Sequence, residues 1–254
     1  MWTRELLKNR AKSVLKISYW NAFVVSLVLA IIGGTDNSSI DINNFNWSFG
    51  NKTPSSGFNP FSENITTIFP FLLLITFMVI IIIFIFVFAF RILLGYPLEV
   101  GGRRYFVQSA QNNINLNFLG YGFGFGRYFN IIKTMLWRSV LTFLWFLLLI
   151  IPGIIKTYAY RMVPYILSDN PNIDYKRALE LSEKMTDGEK LDMWILDLSF
   201  IGWYLLGTLL FFIGVLFVMP YENATKAELY LELRQNALDQ GLCSYEELQL
   251  NQTF

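Results

Sequence analysis

The chain contains no histidine and a single cysteine, Cys243. The first absence removes the side chain most often used as a general base near neutral pH and as a ligand for zinc, haem or copper. The second excludes a disulfide framework and a thiolate metal cluster. Charge is also scarce, at 15% of 254 residues, where soluble domains carry about 25%. In its place the chain is 54% hydrophobic, with 24 Phe and 7 Trp, and a mean hydropathy of +0.42. This composition excludes an ordinary soluble enzyme and a disordered chain, and points to a polytopic membrane protein. The net charge of +1 provides no field that would steer nucleic acid, so no nucleic-acid partner is expected.

Residues 1–18 read as a basic amphipathic helix. Leu6, Leu7, Ala11, Val14 and Leu15 share one face, and Arg4, Lys8, Arg10, Lys12 and Lys16 occupy the rest. Such a helix ahead of an apolar run suits an interfacial segment on an anionic leaflet. A cleaved signal peptide is the competing reading. The long basic stretch and the lack of an A-x-A site after Ile32 favour the uncleaved anchor.

A first span is expected at about 17–32, with Tyr19 and Trp20 at an interface and Gly33-Gly34 as its end. Residues 33–67 then read as a polar extracytoplasmic loop, rich in Asn, Ser and Gly, with Lys52 its only base. Asn37, Asn46, Asn51 and Asn64 open N-x-[ST] triplets there, which an Asn-rich loop makes by chance. No charge occurs between Glu63 and Arg91, and a span is expected at about 68–94.

Residues 91–138 carry Arg91, Arg103, Arg104, Arg127, Lys133 and Arg138 against one acid, Glu99. The GYGFGFG run at 120–126 lacks the G-K-[ST] ending and preceding strand of a phosphate loop, so it reads as an aromatic interfacial loop. Further spans are expected at about 134–151 and 154–168, turning at Pro152-Gly153, and at about 191–209 and 212–232. Between them, residues 174–187 predict a cytoplasmic elbow helix with Asp174 as N-cap and Gly188 beyond its end.

The expected fold is therefore all-α: a transmembrane bundle of six spans arranged as three hairpins, with short interfacial amphipathic helices, in one domain over 1–254. The alternative for 193–219 is a single span. Pro97 with Glu99 and Pro220 with Glu222 end two hairpins alike, and Pro164 ends the third. Lysine and arginine favour the cytoplasmic side. With three hairpins, only Lys52 lies outside and Lys156 and Arg161 lie at membrane depth, so both termini are expected to be cytoplasmic. One cost is length: residues 154–168 reach about 22 Å, short of the roughly 30 Å hydrocarbon core.

MWTRELLKNRAKSVLK at the start, LEVGGRRYF at 98–106, IPGIIKTYAYRMVPYIL at 151–167, LDLSFIGW at 196–203 and the PYENATKAELY segment resemble domain-of-unknown-function family 975. These are uncharacterised integral membrane proteins, mostly of Gram-positive bacteria. The PGII turn, the short returning helix and the elbow with Ala178, Leu179 and Ser182 are more distantly similar to the membrane domain attached to some glycerophosphodiester phosphodiesterases. The resemblance implies a multi-pass location in the cell membrane and six spans. It implies no activity, cofactor or catalytic residue.

Ionisable groups at membrane depth default to functional candidates. Arg161 and Asp197 form a candidate intramembrane polar pair, either an anion or substrate site or an interhelical clasp. Glu99, Arg103, Arg104 and Glu222 are candidate interfacial charges. No nucleophile with an activating base, no metal-binding cluster and no cofactor site is expected. Gly202, Gly207 and Gly214 suit close helix packing. The expected partners are the lipid bilayer with anionic lipids at its cytoplasmic face, and a membrane-protein partner or a second copy. The leading expectation is a non-enzymatic accessory, scaffold or regulatory component. A small transporter or exporter and a lipid-modifying enzyme are the alternatives.

Overall fold

The computed structural model describes residues 3–32, 62–209 and 213–250. Among them the regular structure is helical, with no strand. The loop at 33–61, with most of the N-x-[ST] triplets and Lys52, lies outside the described residues. The chain divides into two compact units, one of Asn37–Arg91 and one of Met1–Asp36 with Ile92–Phe254.

In the smaller unit, α2 (Ser62–Phe90) is apolar on every face, and each residue from Pro70 to Phe88 is exposed. A helix hydrophobic all round has no aqueous solution to its burial and suits lipid. Two apolar helical stretches are long enough to cross a membrane, Pro70–Ala110 and Tyr128–Leu148. A π-helical turn, Arg91–Gly95, precedes α3.

The larger unit is built around α3 (Tyr96–Ala110) and α9 (Ile213–Asp239). Helix α1 (Arg4–Ile32) packs on both, and it kinks at Ser18, whose φ of −124° and ψ of 22° leave the helical region. The kink falls where the sequence placed the change from basic amphipathic to apolar. Helix α3 is followed by a 3-10 segment, Leu116–Phe123, which lies tight against it. A Cβ on Gly101 would fall 2.1 Å from the Leu119 carbonyl oxygen, so only glycine permits that approach. Within the glycine-rich run at 120–126, Gly122 meets the Pro97 backbone in the same way.

Helices α4 (Tyr128–Leu148) and α5 (Ile150–Ala159) form a hairpin. Its turn falls at Leu149, whose backbone is extended, and not at Pro152-Gly153 as the sequence suggested. Proline tolerates the first turn of a helix, where its missing N–H costs no bond, so Pro152 begins α5 instead of breaking it. Gly153 lets α5 close onto α4 at Phe146.

The expected continuous helix over 154–168 is interrupted at Tyr160–Met162 before α6 (Val163–Asp169), which has Pro164 in its first turn. Helix α7 (Tyr175–Met185) satisfies the groups freed by this break. The Ser182 hydroxyl donates to the Ala159 carbonyl at 2.7 Å and accepts from the Met162 N–H at 3.2 Å. Asp174 caps α7 by accepting from the Lys176 N–H at 3.1 Å, and Gly188 beyond its end has a φ of +79°.

Helices α8 (Lys190–Leu209) and α9 pack as a second hairpin; its turn at 210–212 lies outside the described residues. Gly207 and Gly214 face each other so closely that a Cβ on Gly214 would fall 2.6 Å from the Gly207 Cα. Gly202 has nothing near its missing Cβ and plays no such part. After α9, Gly241 turns the chain at a φ of +67°, and residues 242–250 return along α7, with Leu248 fully buried.

Candidate functional site

The two hairpins carry their charge at their bases. Arg161, released from helix by the break after α5, pairs with Asp197 of α8 at 2.8 Å. Tyr158, one turn earlier, donates its hydroxyl to the same carboxylate at 3.0 Å. Lys226 of α9 stands 3.9 Å from Asp197 and 2.7 Å from Glu222, one helical turn back along α9. Tyr204 of α8 donates its hydroxyl to Glu222. Two cations and two carboxylates thus cross-link α5, α8 and α9 with their charges balanced. Arg161, Lys226 and Glu222 are buried, and Asp197 keeps 24% of its surface exposed.

A second polar group fills the centre of the unit. Arg103 is fully buried and donates to the Asn223 side-chain carbonyl at 2.9 Å and to the Tyr165 hydroxyl at 3.2 Å. The Asn223 amide in turn donates to the Ser26 hydroxyl at 3.1 Å, which ties α1, α3, α6 and α9 together. Glu99, 2% exposed, faces Arg138 of α4 at 3.5 Å. Arg104 donates to the Ser168 carbonyl and stacks its guanidinium 3.9 Å over the Tyr121 ring. A third group joins α6 to α9: Asp169 accepts from Arg234 at 2.8 Å and from the Tyr230 hydroxyl at 2.7 Å. Nearer the surface, Arg177 of α7 holds Glu247 at 2.6 Å and donates to the Leu242 carbonyl at 2.7 Å. The Glu247 partner lifts the Arg177 guanidinium above its ordinary range.

The sequence anticipated Arg161 with Asp197, and the structure brings them together. Glu99, Arg103 and Glu222, expected as interfacial charges, are buried inside the unit, and Arg104 is half-buried. Lys226 escaped the sequence reading although it lies four residues after Glu222, the spacing at which opposite charges meet on a helix. Asp169, Arg234, Arg138 and Asn223 carried no local signal, because their partners are distant in the chain. Every carboxylate in these groups accepts from a cation, so the arrangement suits clasping.

These features define an α-helical protein whose apolar hairpins rise from a base cross-linked by buried ion pairs. Residues 126–237, from the start of α4 almost to the end of α9, match the family described as a protein of unknown function, DUF975. No curated protein and no solved structure matches the chain.

Proposed function

We propose that the chain is a non-enzymatic component of the cell membrane, an accessory, scaffold or regulatory protein. The observation that carries this reading is a set of charge pairs that join the helices: Arg161 with Asp197, Lys226 with Glu222, Arg234 with Asp169, and Glu99 facing Arg138. Each pair joins residues of different helices or of successive turns, an arrangement that suits docking one helix on another.

The α4–α5 and α8–α9 hairpins enter the membrane from one face and end inside it. Helix α7 supports this. Its outer face carries Glu180 and Lys184, which pair at 2.7 Å and are about half exposed. That helix docks on Ala159 and Met162, and its Glu183 reaches Lys156 of α5 at 2.6 Å. The water boundary therefore lies near residues 156–162. From there α5, with 10 residues, extends about 15 Å, half of the roughly 30 Å hydrocarbon thickness. From Asp197 to the end of α8 the reach is about 18 Å. Both hairpins are re-entrant on this reading, in place of the four full spans that the sequence suggested for them.

Complementation tests the functional part. An Arg161→Met, Asp197→Leu double variant that folds is expected to rescue a deletion strain as well as the wild type does. A folded double variant that fails to rescue would show that the pair works on a substrate and would favour the transporter reading.

A further inference from the structure

Helix α1 lies across α8 and α9 and leaves a groove of about 680 Å³ between them. One end of the groove is cationic, with Lys12 and Lys16 one turn apart on the exposed side of α1. Leu15 lies between these lysines on α1, and the facing wall on α8 and α9 is apolar: Trp203, Phe217 and Val218. The two ends differ in depth. Lys12 lies over the ring of Tyr221, at 5.8 Å, beside Glu222 in the ion-pair layer. Trp203 and Phe217 lie one to two turns further toward the hairpin tip, with Trp203 52% exposed and Phe217 46% exposed.

Among the described residues no carboxylate pairs with Lys12 or Lys16. Lys8, one turn before Lys12, is committed to the Ser199 hydroxyl at 2.8 Å and to the face of Phe200. Burial, and after it the neighbouring Arg4 and Lys12, pull the Lys8 ammonium below its usual range. Charge at one end and hydrocarbon at the other match one kind of molecule. A phosphodiester headgroup complements the paired ammonium groups, and an acyl chain complements the indole and phenyl wall.

We propose that this groove holds one anionic phospholipid, its phosphate between Lys12 and Lys16 and an acyl chain along Trp203, Phe217 and Val218. The proposal rests on the re-entrant placement of α8 and α9, which sets the lysines at headgroup level and the aromatic wall at acyl depth. The lipid then forms part of the contact between α1 and the hairpin, and the site selects for headgroup charge.

The test uses the full chain in phosphatidylcholine vesicles containing a small fraction of either brominated phosphatidylglycerol or brominated phosphatidylcholine. The Trp203 signal is the difference between wild type and Trp203→Phe. Half-quenching is expected at a mole fraction on the order of tenfold lower for the brominated phosphatidylglycerol, from two lysines near the headgroup. Lys12→Gln with Lys16→Gln should abolish that preference; both positions are exposed, so the fold is kept. Removing the same charge at exposed Lys133 and Lys176 should leave it intact. Equal quenching by the two lipids in the wild type overturns the site while keeping the hairpin in the membrane. Equal loss of preference in the Lys133 and Lys176 control also overturns it, as general surface attraction. Quenching by neither lipid overturns the membrane placement and the site together.

Discussion

At the base of the α8–α9 hairpin, Asp197, Glu222 and Lys226 are all partnered, and Lys226 is 3% exposed. A few turns on, Leu205 and Leu206 are 65% and 58% exposed, with Gly207 pressed against Gly214. The α4–α5 hairpin repeats the contrast. Arg138 and Arg161 are paired near its base, while Leu147, Leu149 and Ile150 are each at least 62% exposed at its tip. Both regions are low in free charge, for different reasons. The bases consume charge in pairs that orient the helices, where an unpaired ion would be costly. The tips exclude charge and place apolar surface outward, which lipid or a partner's apolar surface makes favourable. On the proposed membrane placement, specificity resides in the bases and membrane affinity in the tips.

The largest effect should come from breaking one base pair without its partner. Asp197→Leu alone removes the carboxylate that both Arg161 and Lys226 face and should lower stability by about 3–5 kcal/mol, read as thermal unfolding in detergent. The double Arg161→Met, Asp197→Leu variant should lose less than the two single variants combined. Strictly additive losses would mean that the base pair carries no coupling, and the contrast with the tips would fail.

A smaller effect is expected at the tips, through packing alone. Gly207→Ala forces α8 and α9 apart at a backbone contact and should cost about 1–3 kcal/mol. Removing an exposed tip side chain, as in Leu147→Ser, should change detergent stability by less than about 0.5 kcal/mol. Loss of stability equal to that of Asp197→Leu would show that the tip packs against protein.

The smallest effect concerns the segment that returns along α7. Arg177→Met releases Glu247 and should cost about 1 kcal/mol, since both groups keep partial solvent contact. The sharper readout is Cys243, which that segment buries to 8% exposure. Burial raises its thiol above the ordinary range, and the Glu247 carboxylate adds to the effect. A raised folded value binds the proton more tightly in the native state. The associated stability is therefore complete below about pH 8.5, the ordinary thiol value, and is lost as pH rises through the folded one. Cys243 should react with an aromatic disulfide more slowly than free cysteine at pH 8, and Arg177→Met should speed it. Rapid native reaction would show that residues 242–250 do not pack.

Much of this contrast is legible in the sequence. Charge-free runs mark the tips, Asp174 marks the start of α7, and the change of pattern near Ile17 marks the kink at Ser18. Arg161 and Asp197 stand out because each is a charge beside an apolar run. Two features are not legible. Buried Arg103 reads as a surface charge, because its burial depends on Asn223 and Tyr165, which are far away in the chain. The re-entrant depth proposed for the hairpins is not readable either, because apolar length alone does not reveal where water begins. The proposal draws that limit from α7 docking through Ser182 on Ala159 and Met162, a tertiary contact.

The depth of Leu149 tests the central claim most directly. A Leu149→Cys variant in a Cys243→Ser background would carry a fluorophore at the α4–α5 turn, read with lipids brominated at different positions along the chain. The account predicts strongest quenching near the bilayer centre and no reaction of the unlabelled thiol with a membrane-impermeant reagent from either side. Quenching confined to the far headgroup region, with reaction from the outside, would show that the hairpin crosses the membrane and would contradict the account.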